Sequence, residues 1–279
     1  MSGEKRIQGK YMENLRIGVV GAGRIGKVHC EALCLRVPGA EVIAVTDPCR
    51  DEAEKLAARF GIPAVPGSFE ELLDTGSLDA VAICSPTDTH ARYIEAAAGA
   101  GKHIFCEKPV DQDLEVIRGV LAEVERSGVR LMVGYNRRFD PDFMKARELV
   151  AAGQVGDIHI LRITSRDPAP PPLSYIAVSG GLFLDMAIHD FDMARFITGM
   201  EIVEVFARGA VLVDEGIGQA GDIDTATVTL TFSNGALGVI DNSRKAAYGY
   251  DQRLEVFGSG GMIRVENNRH HQYELYNQE

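Results

Sequence analysis

The sequence predicts an α/β chain of two domains, a doubly wound parallel sheet followed by an α+β domain built on an open, mostly antiparallel sheet. Three observations carry this. Short β-rich runs alternate with helix-like stretches from Leu15 to about Gly134, a glycine-rich turn follows the first run, and beyond residue 140 the chain switches to long alternating runs. The first domain is placed at residues 1–135, with 1–12 as a flexible extension, and the second at 136–279.

In the first half the predicted strands are "LRIGVV", "EVIAVTD", "AVAICS", "KHIFCEK" and "RLMVGYN". Between them lie "GKVHCEALCLR", "RDEAEKLAARF", "SFEELLDTG", "THARYIEAAAGAG" and "DLEVIRGVLAEVERSG", helical in period or composition. Strands joined through helices pair in parallel, which makes this half doubly wound. A helix "PDFMKARELVAAGQVG" opens the second half. The runs "DIHILRITSRD", "IVEVFARGAVLVD", "DTATVTLTF", "ALGVIDNSR", "DQRLEVFGS" and "MIRVEN" then read as strands, with residues 180–196 entering as a helix ahead of that sheet. Asn234-Gly235 and the "GSGG" at 258–261 mark hairpin turns, and the proline run "DPAPPPL" is extended and stiff.

Composition narrows the function. A chain of 279 residues, 46% of them apolar, is long enough for two cores. Its net charge of −11 argues against a nucleic-acid surface, which needs clustered Lys and Arg. No apolar run reaches the ~20 residues of a membrane span. The opening "MSGEKRIQGKYMEN" lacks the apolar core of a secretory leader. The five cysteines, Cys30, Cys34, Cys49, Cys84 and Cys106, form no CxxC pair and read as reduced thiols of a cytoplasmic protein. His270 and His271 have no zinc-like companion spacing, so no metal site is expected.

Two constellations carry chemistry. "GAGRIG" places Gly21, Gly23 and Gly26, with Arg24 and Ile25, between a strand and a helix, the context of a Rossmann pyrophosphate turn at a positive helix end. Asp47 closes the next strand, where a carboxylate accepts from the ribose hydroxyls and repels a 2′-phosphate, favouring NAD over NADP. "SPTDTH" and "CEKP" end later strands and bring Ser85, Pro86, Glu107 and Lys108 to the edge where ligands of open α/β sheets bind. His90 reads as a packing or helix-start residue.

The second constellation is "GGLFLDMAIHDFDMARF", residues 180–196. Its carboxylates and histidine are costly to bury without partners. On a helix Asp185, His189 and Asp192 share one face, and Asp190 points elsewhere.

GxGxxG, the strand-end Asp, "EKP" and "GGLFLDMAIHDFDMARF" in this order resemble the glucose-fructose oxidoreductase / inositol dehydrogenase / MocA family, and within it the inositol 2-dehydrogenases. The resemblance covers Leu15 to Arg264 and implies a catalytic set of Lys108, Asp185 and His189. Oxidation of a secondary alcohol, the reaction it implies, needs a hydride acceptor, a base and a positive group for the developing alkoxide, for which NAD, His189 and Lys108 are the candidates, with Asp185 fixing the imidazole tautomer. The resemblance implies NAD-dependent oxidation of a cyclitol to its keto form, with another sugar or polyol as the near alternative and a non-catalytic NAD- or sugar-sensing regulator as the distant one. Asn136, Arg166, Asp167, Asp192 and Tyr248 are expected around the substrate, by resemblance and by their positions at element ends. Arg166 and Asp192 have salt bridging as an alternative, and Tyr248 is not separable from Tyr250. The resemblance further implies a cis Lys108–Pro109 bond, a homotetramer, and helical sequence beyond the last strand, where this chain reads "ELYNQE".

Overall fold

The computed structural model describes residues 14–267; the extension expected at 1–12 and the His270–His271 pair lie outside the described residues. The chain divides into two compact units, Met1–Gly134 and Tyr135–Glu279.

The first unit runs β1 (Leu15–Val20), α1 (Arg24–Leu35), β2 (Ala40–Thr46), α2 (Arg50–Phe60), α3 (Phe69–Leu73), β3 (Ala80–Ile83), α4 (His90–Gly99), β4 (His103–Cys106), α5 (Leu114–Ser127) and β5 (Leu131–Val133). Its strands pair in parallel in the order β2-β1-β3-β4-β5. Parallel strands covered on both faces are apolar throughout, and Val19, Val20, Val45, Val81 and Ile83 are all buried. One core layer holds Ile94 and Ala97 of α4 with Val120 and Val124 of α5. The other holds Cys30 of α1 with Ala53 and Leu56 of α2. The strand order reverses between β1 and β3, so the loops leaving their carboxyl ends, at Gly21 and at Cys84–Ser85, flank the crevice where nucleotides bind such sheets.

The second unit contains α6 (Pro141–Ala151), β6 (Ile158–Arg166), α7 (Leu173–Ile176), a π turn (Phe183–Ala187), α8 (Ile188–Thr198), β7 (Ile202–Ala210), α9 (Glu215–Gln219), β8 (Thr225–Phe232), β9 (Leu237–Ser243), β10 (Asp251–Gly258) and β11 (Gly261–Val265). Asp140 caps α6 by accepting from the backbone N–H of Asp142 and Phe143, with Pro141 in the first turn where its missing N–H costs nothing. The sheet order is β11-β10-β6-β9-β8-β7, antiparallel except for the parallel pair β6–β9. The α/β and α+β classes expected from sequence are both present, and both hairpin turns form, Asn234-Gly235 between β8 and β9 and the glycine turn between β10 and β11.

Two expectations are corrected. The helix of residues 180–196 enters after β6, not ahead of the sheet. The crossover through α7 and α8 carries the chain from central β6 to edge strand β7. The run "IVEVFARGAVLVD" leaves the sheet at Ala210, because the buried Asp224 carboxylate takes the N–H groups of Leu212 (2.9 Å), Val213 (2.8 Å) and Asp214 (3.0 Å) and so supplies the acceptors a ladder would have provided. The sheet has unlike faces. Leu161, Ile163, Val228, Leu230, Ile240, Leu254 and Val256 pack against α6 and α8, while Val205, Leu237, Val239 and Phe257 are exposed.

Candidate active site

In the first unit the three glycines of GAGRIG do three different jobs. Gly21 has φ +98, and a Cβ there would stand 2.6 Å from the Cys84 carbonyl oxygen. A Cβ on Gly26 would stand 1.8 Å from the Gly21 carbonyl oxygen, so the helix packs directly on the turn. A Cβ on Gly23 would meet nothing within 4 Å. That space lies beside the start of α1, which has no side-chain cap and no acidic residue in its first turn. Free N–H groups at a positive helix end with room before them fit a pyrophosphate. Arg24 and Ile25 form the first turn behind it.

Asp47 follows β2. Its Oδ2 accepts from the Ala22 N–H at 2.7 Å and its Oδ1 from the Cys49 N–H at 2.8 Å. Two of the roughly four lone-pair positions of a carboxylate are thus used to dock it on the glycine turn, and the others suit ribose hydroxyls. Ser85 and Pro86 leave β3, with the Ser85 hydroxyl 2.6 Å from that of Thr89, which donates to the Pro86 carbonyl. Glu107 sits 2.6 Å from His29 Nε2, and Lys108 precedes the cis bond to Pro109. His90 is buried, its ring nitrogens 2.7 Å from the Pro109 carbonyl and 2.8 Å from the Ser85 carbonyl, so it ties the two loops together.

In the second unit the segment that carries Asp185 and His189 is not a regular helix. Phe183–Ala187 wind as a π turn before α8 begins at Ile188, an irregularity that recurs at functional sites. Asp185 Oδ1 accepts from the Tyr175 hydroxyl at 2.8 Å, and Oδ2 faces Arg244 Nη1 at 3.3 Å. His189 follows one turn later, edge-on to the Tyr135 ring with centroids 6.3 Å apart. Asp190 points the other way, fully buried, where Arg137 and Asn242 Nδ2 (2.7 Å) bind it. Burial pushes its carboxyl above the usual range while Arg137 pulls against that shift.

The expected substrate residues separate into groups. Asp167 stands at the end of β6 among Arg244, Asp185, Arg137 and Asp190; burial pushes its carboxyl up, Arg244 pulls it back and Asp185 pushes it further. Asn136 is exposed at the start of a short helical turn, Asn136–Phe139. Asp192 is gripped by Arg138 through Nε at 2.8 Å and Nη2 at 2.5 Å, so it has the salt bridge weighed as its alternative.

Arg166 and Tyr248 are not brought to the His189 side. Side chains alternate across a strand, and Ser165 and Asn242 point to the helix-covered face, bonding Arg137 and Asp190. Their neighbours Arg166 and Asp241 therefore point to the opposite face, where they pair, and Arg166 Nη1 donates to the Tyr248 hydroxyl at 2.9 Å. Tyr250 is separated from Tyr248 by its partner: Tyr248 bonds Asp251, which lies opposite Arg166 in the sheet, and Tyr250 bonds Gln252, which lies opposite Ser165. With the Gln252 amide turned so that its oxygen faces donors, that oxygen accepts from Arg137 Nη2 at 2.6 Å and from the Tyr250 hydroxyl at 2.7 Å, which places Tyr250 in the Arg137–Asp190 group. Arg244, Arg137 and Tyr175 escaped the sequence reading because their partners are set by tertiary pairing: Arg244 and Asp185 lie 59 positions apart.

Known proteins place these features in a family. The profile described as the oxidoreductase family, NAD-binding Rossmann fold, matches residues 15–135, and that of the GFO/IDH/MocA C-terminal domain matches residues 143–264. The chain is 53% identical over 255 residues to the myo-inositol 2-dehydrogenase of Thermotoga maritima, covering 91% of this chain and 76% of that protein. It is 49% identical to the inositol 2-dehydrogenase of Rhizobium meliloti, with 91% and 76% covered. Among solved structures, scyllo-inositol dehydrogenase from Lactobacillus casei with bound NAD(H) and scyllo-inositol superposes with a TM-score of 0.86 at 32% identity, over 95% of this chain and 80% of that one. A glycine turn built for pyrophosphate, a carboxylate docked beside it and profile matches to both units together make this chain a member of the GFO/IDH/MocA oxidoreductase family.

Proposed function

We propose that this chain oxidises a cyclitol, myo-inositol or a stereoisomer, to its keto form with NAD. The observation that carries the reading is Asp185 on the π turn, its two oxygens held by Tyr175 and Arg244, one turn ahead of His189. Similarity to inositol dehydrogenases supports the substrate class. Bound NAD supplies the hydride acceptor. His189 takes the hydroxyl proton, and the Asp185 carboxylate favours the imidazolium that results. The Lys108 ammonium stabilises negative charge on the reacting oxygen. Gly21, Gly23, Arg24, Ile25, Gly26, Asp47, Ser85, Pro86 and Glu107 hold the cofactor. Asp167, Asn136 and Tyr250 meet the substrate hydroxyls, with Tyr250 taking the place first given to Tyr248.

The protein is also proposed to work in the cytoplasm as a homotetramer, whose interface covers the exposed Val205, Leu237, Val239 and Phe257 of the second sheet. Among the described residues no helix is long and apolar enough to cross a membrane. NADH absorbance measured against a panel of cyclitols and aldoses tests the function. Turnover with cyclitols is expected. Tight NAD binding with no turnover of any member would overturn the reading in favour of a sensor, and preferential aldose turnover would move it to the sugar dehydrogenases.

A further inference from the structure

Arg244 is the largest fully buried side chain among the described residues, 1% exposed, and it directly follows β9. Its guanidinium is shared between two carboxylates, Nη1 to Asp185 Oδ2 at 3.3 Å and Nη2 to Asp222 Oδ2 at 3.4 Å, and both acids are largely buried. Asp222 in turn accepts from the Leu182 N–H at 3.0 Å. A Cβ on Gly181, whose φ is +78, would stand 2.7 Å from Asp222 Oδ1, so the entrance to the π turn is pressed against that carboxylate. The π turn is thus held twice, by Asp222 through its backbone and by Arg244 through the carboxylate of Asp185.

The groups facing Asp185 come from several elements. Tyr175 approaches from α7, Arg244 from the end of β9, and Asp167 from the end of β6. Asp222 lies just before β8 on the far side of Arg244, and the Arg137–Asp190 pair adjoins Asp167. Among the described groups of this cluster, one buried cation is therefore contested by Asp185, Asp222 and the more distant Asp167. Removing a cation beside a carboxylate makes that carboxylate more basic and strengthens its hold on an imidazolium one turn away, so the histidine also becomes more basic; removing a competing anion does the opposite.

We infer that Arg244 is a positioning residue for proton transfer, dividing its charge between Asp185 and Asp222 and thereby setting the pH at which the Asp185–His189 pair becomes a competent base. This rests on the proposed roles of Asp185 and His189. Its consequence is directional. Arg244→Met should move the acid limb of kcat/KM upward by about one pH unit or more, whereas Asp222→Asn, which keeps an oxygen for the Leu182 N–H, should move it downward. Arg244→Lys, which keeps the charge, should return the limb close to wild type with a lower kcat, because an ammonium cannot reach both carboxylates with a planar fork. The limb belongs to the coupled pair and not to either residue alone.

The test is the pH profile of kcat/KM for wild type and the three variants, together with an NMR titration of the His189 ring, identified by its loss in His189→Ala. Opposite displacements in Arg244→Met and Asp222→Asn sustain the inference. Coincident profiles in folded variants would overturn it and leave Arg244 a packing residue; if Arg244→Met does not fold, the Asp222→Asn shift and Arg244→Lys recovery decide. Should the wild type fail to oxidise any cyclitol, the proposed function fails. The ring titration still reads the Arg244 coupling, so the two failures are distinguishable.

Discussion

The two units build their candidate sites from different materials. In the first, recognition is made of backbone: bare N–H groups at the start of α1, a turn that tolerates no side chain at Gly21 or Gly26, and open space at Gly23. In the second it is made of side chains whose charges are balanced between elements far apart in sequence, Asp185 with Arg244, Asp190 with Arg137 and Asp192 with Arg138. A backbone site is destroyed by adding atoms and a side-chain site by removing them, so substitutions of opposite kinds should separate the units.

The largest effect is expected from truncation in the second unit. His189→Ala should lower turnover roughly 10²- to 10⁴-fold with NAD affinity little changed. Asp185→Asn should lower it strongly too, and the double variant should be little worse than His189→Ala, since both disable one proton-transfer unit. Active-site-normalised turnover beside melting temperature checks this; undiminished catalysis in folded His189→Ala would exclude the mechanism.

Next comes an added methyl in the first unit. Gly26→Ala drives a Cβ into the Gly21 carbonyl and should cost about 3 kcal/mol or more, lowering Tm by roughly 10 °C. Gly23→Ala meets no protein atom, so Tm should hold while NAD Kd rises roughly tenfold, about 1.4 kcal/mol. Calorimetry and NAD titration on both variants read the contrast directly. Equal loss of stability would mean that Gly23 faces protein and not ligand.

A smaller change is expected at Asp47. Asp47→Asn keeps an oxygen for the Ala22 N–H and removes the charge, so the preference for NAD over NADP should narrow about tenfold. Unchanged kinetics with both cofactors would remove Asp47 from the ribose site. Smallest is the pair that tests sheet faces. Tyr250→Phe should raise substrate KM up to roughly tenfold through one lost hydrogen bond, whereas Arg166→Ala should leave it within about threefold. The reverse pattern would put the substrate on the other side of the sheet.

How far the sequence could be read follows from the same contrast. The helices, strands and hairpin turns rest on local period and turn chemistry, and the glycine turn with Asp47 is specified within one βαβ unit, so both were legible. The faces of β6 and β10 were not. Moving one residue along a strand exchanges its sides, and choosing between Arg166 and Ser165, or between Asp251 and Gln252 with the tyrosines Tyr248 and Tyr250 that they bind, requires knowing which face α8 covers. The π turn was hidden because an apolar stretch ending in His189 carries the helical period whether or not one turn is widened. The parallel β6–β9 pair was hidden because nothing local to either strand announces a partner so distant.

That pair also orders events during synthesis. Central strand β6, Ile158–Arg166, finds its neighbours in β9, Leu237–Ser243, and β10, Asp251–Gly258. The first unit can complete its sheet once Val133 has left the ribosome, but β6 must wait with both edges unpaired for most of the remaining chain to be translated. Long-range pairing of this kind folds slowly and leaves both edges of a strand, and the apolar Leu161 and Ile163 on its inner face, open to foreign partners. The burden on chaperones therefore falls on the second unit, at a stage of translation when the nucleotide-binding half is already complete.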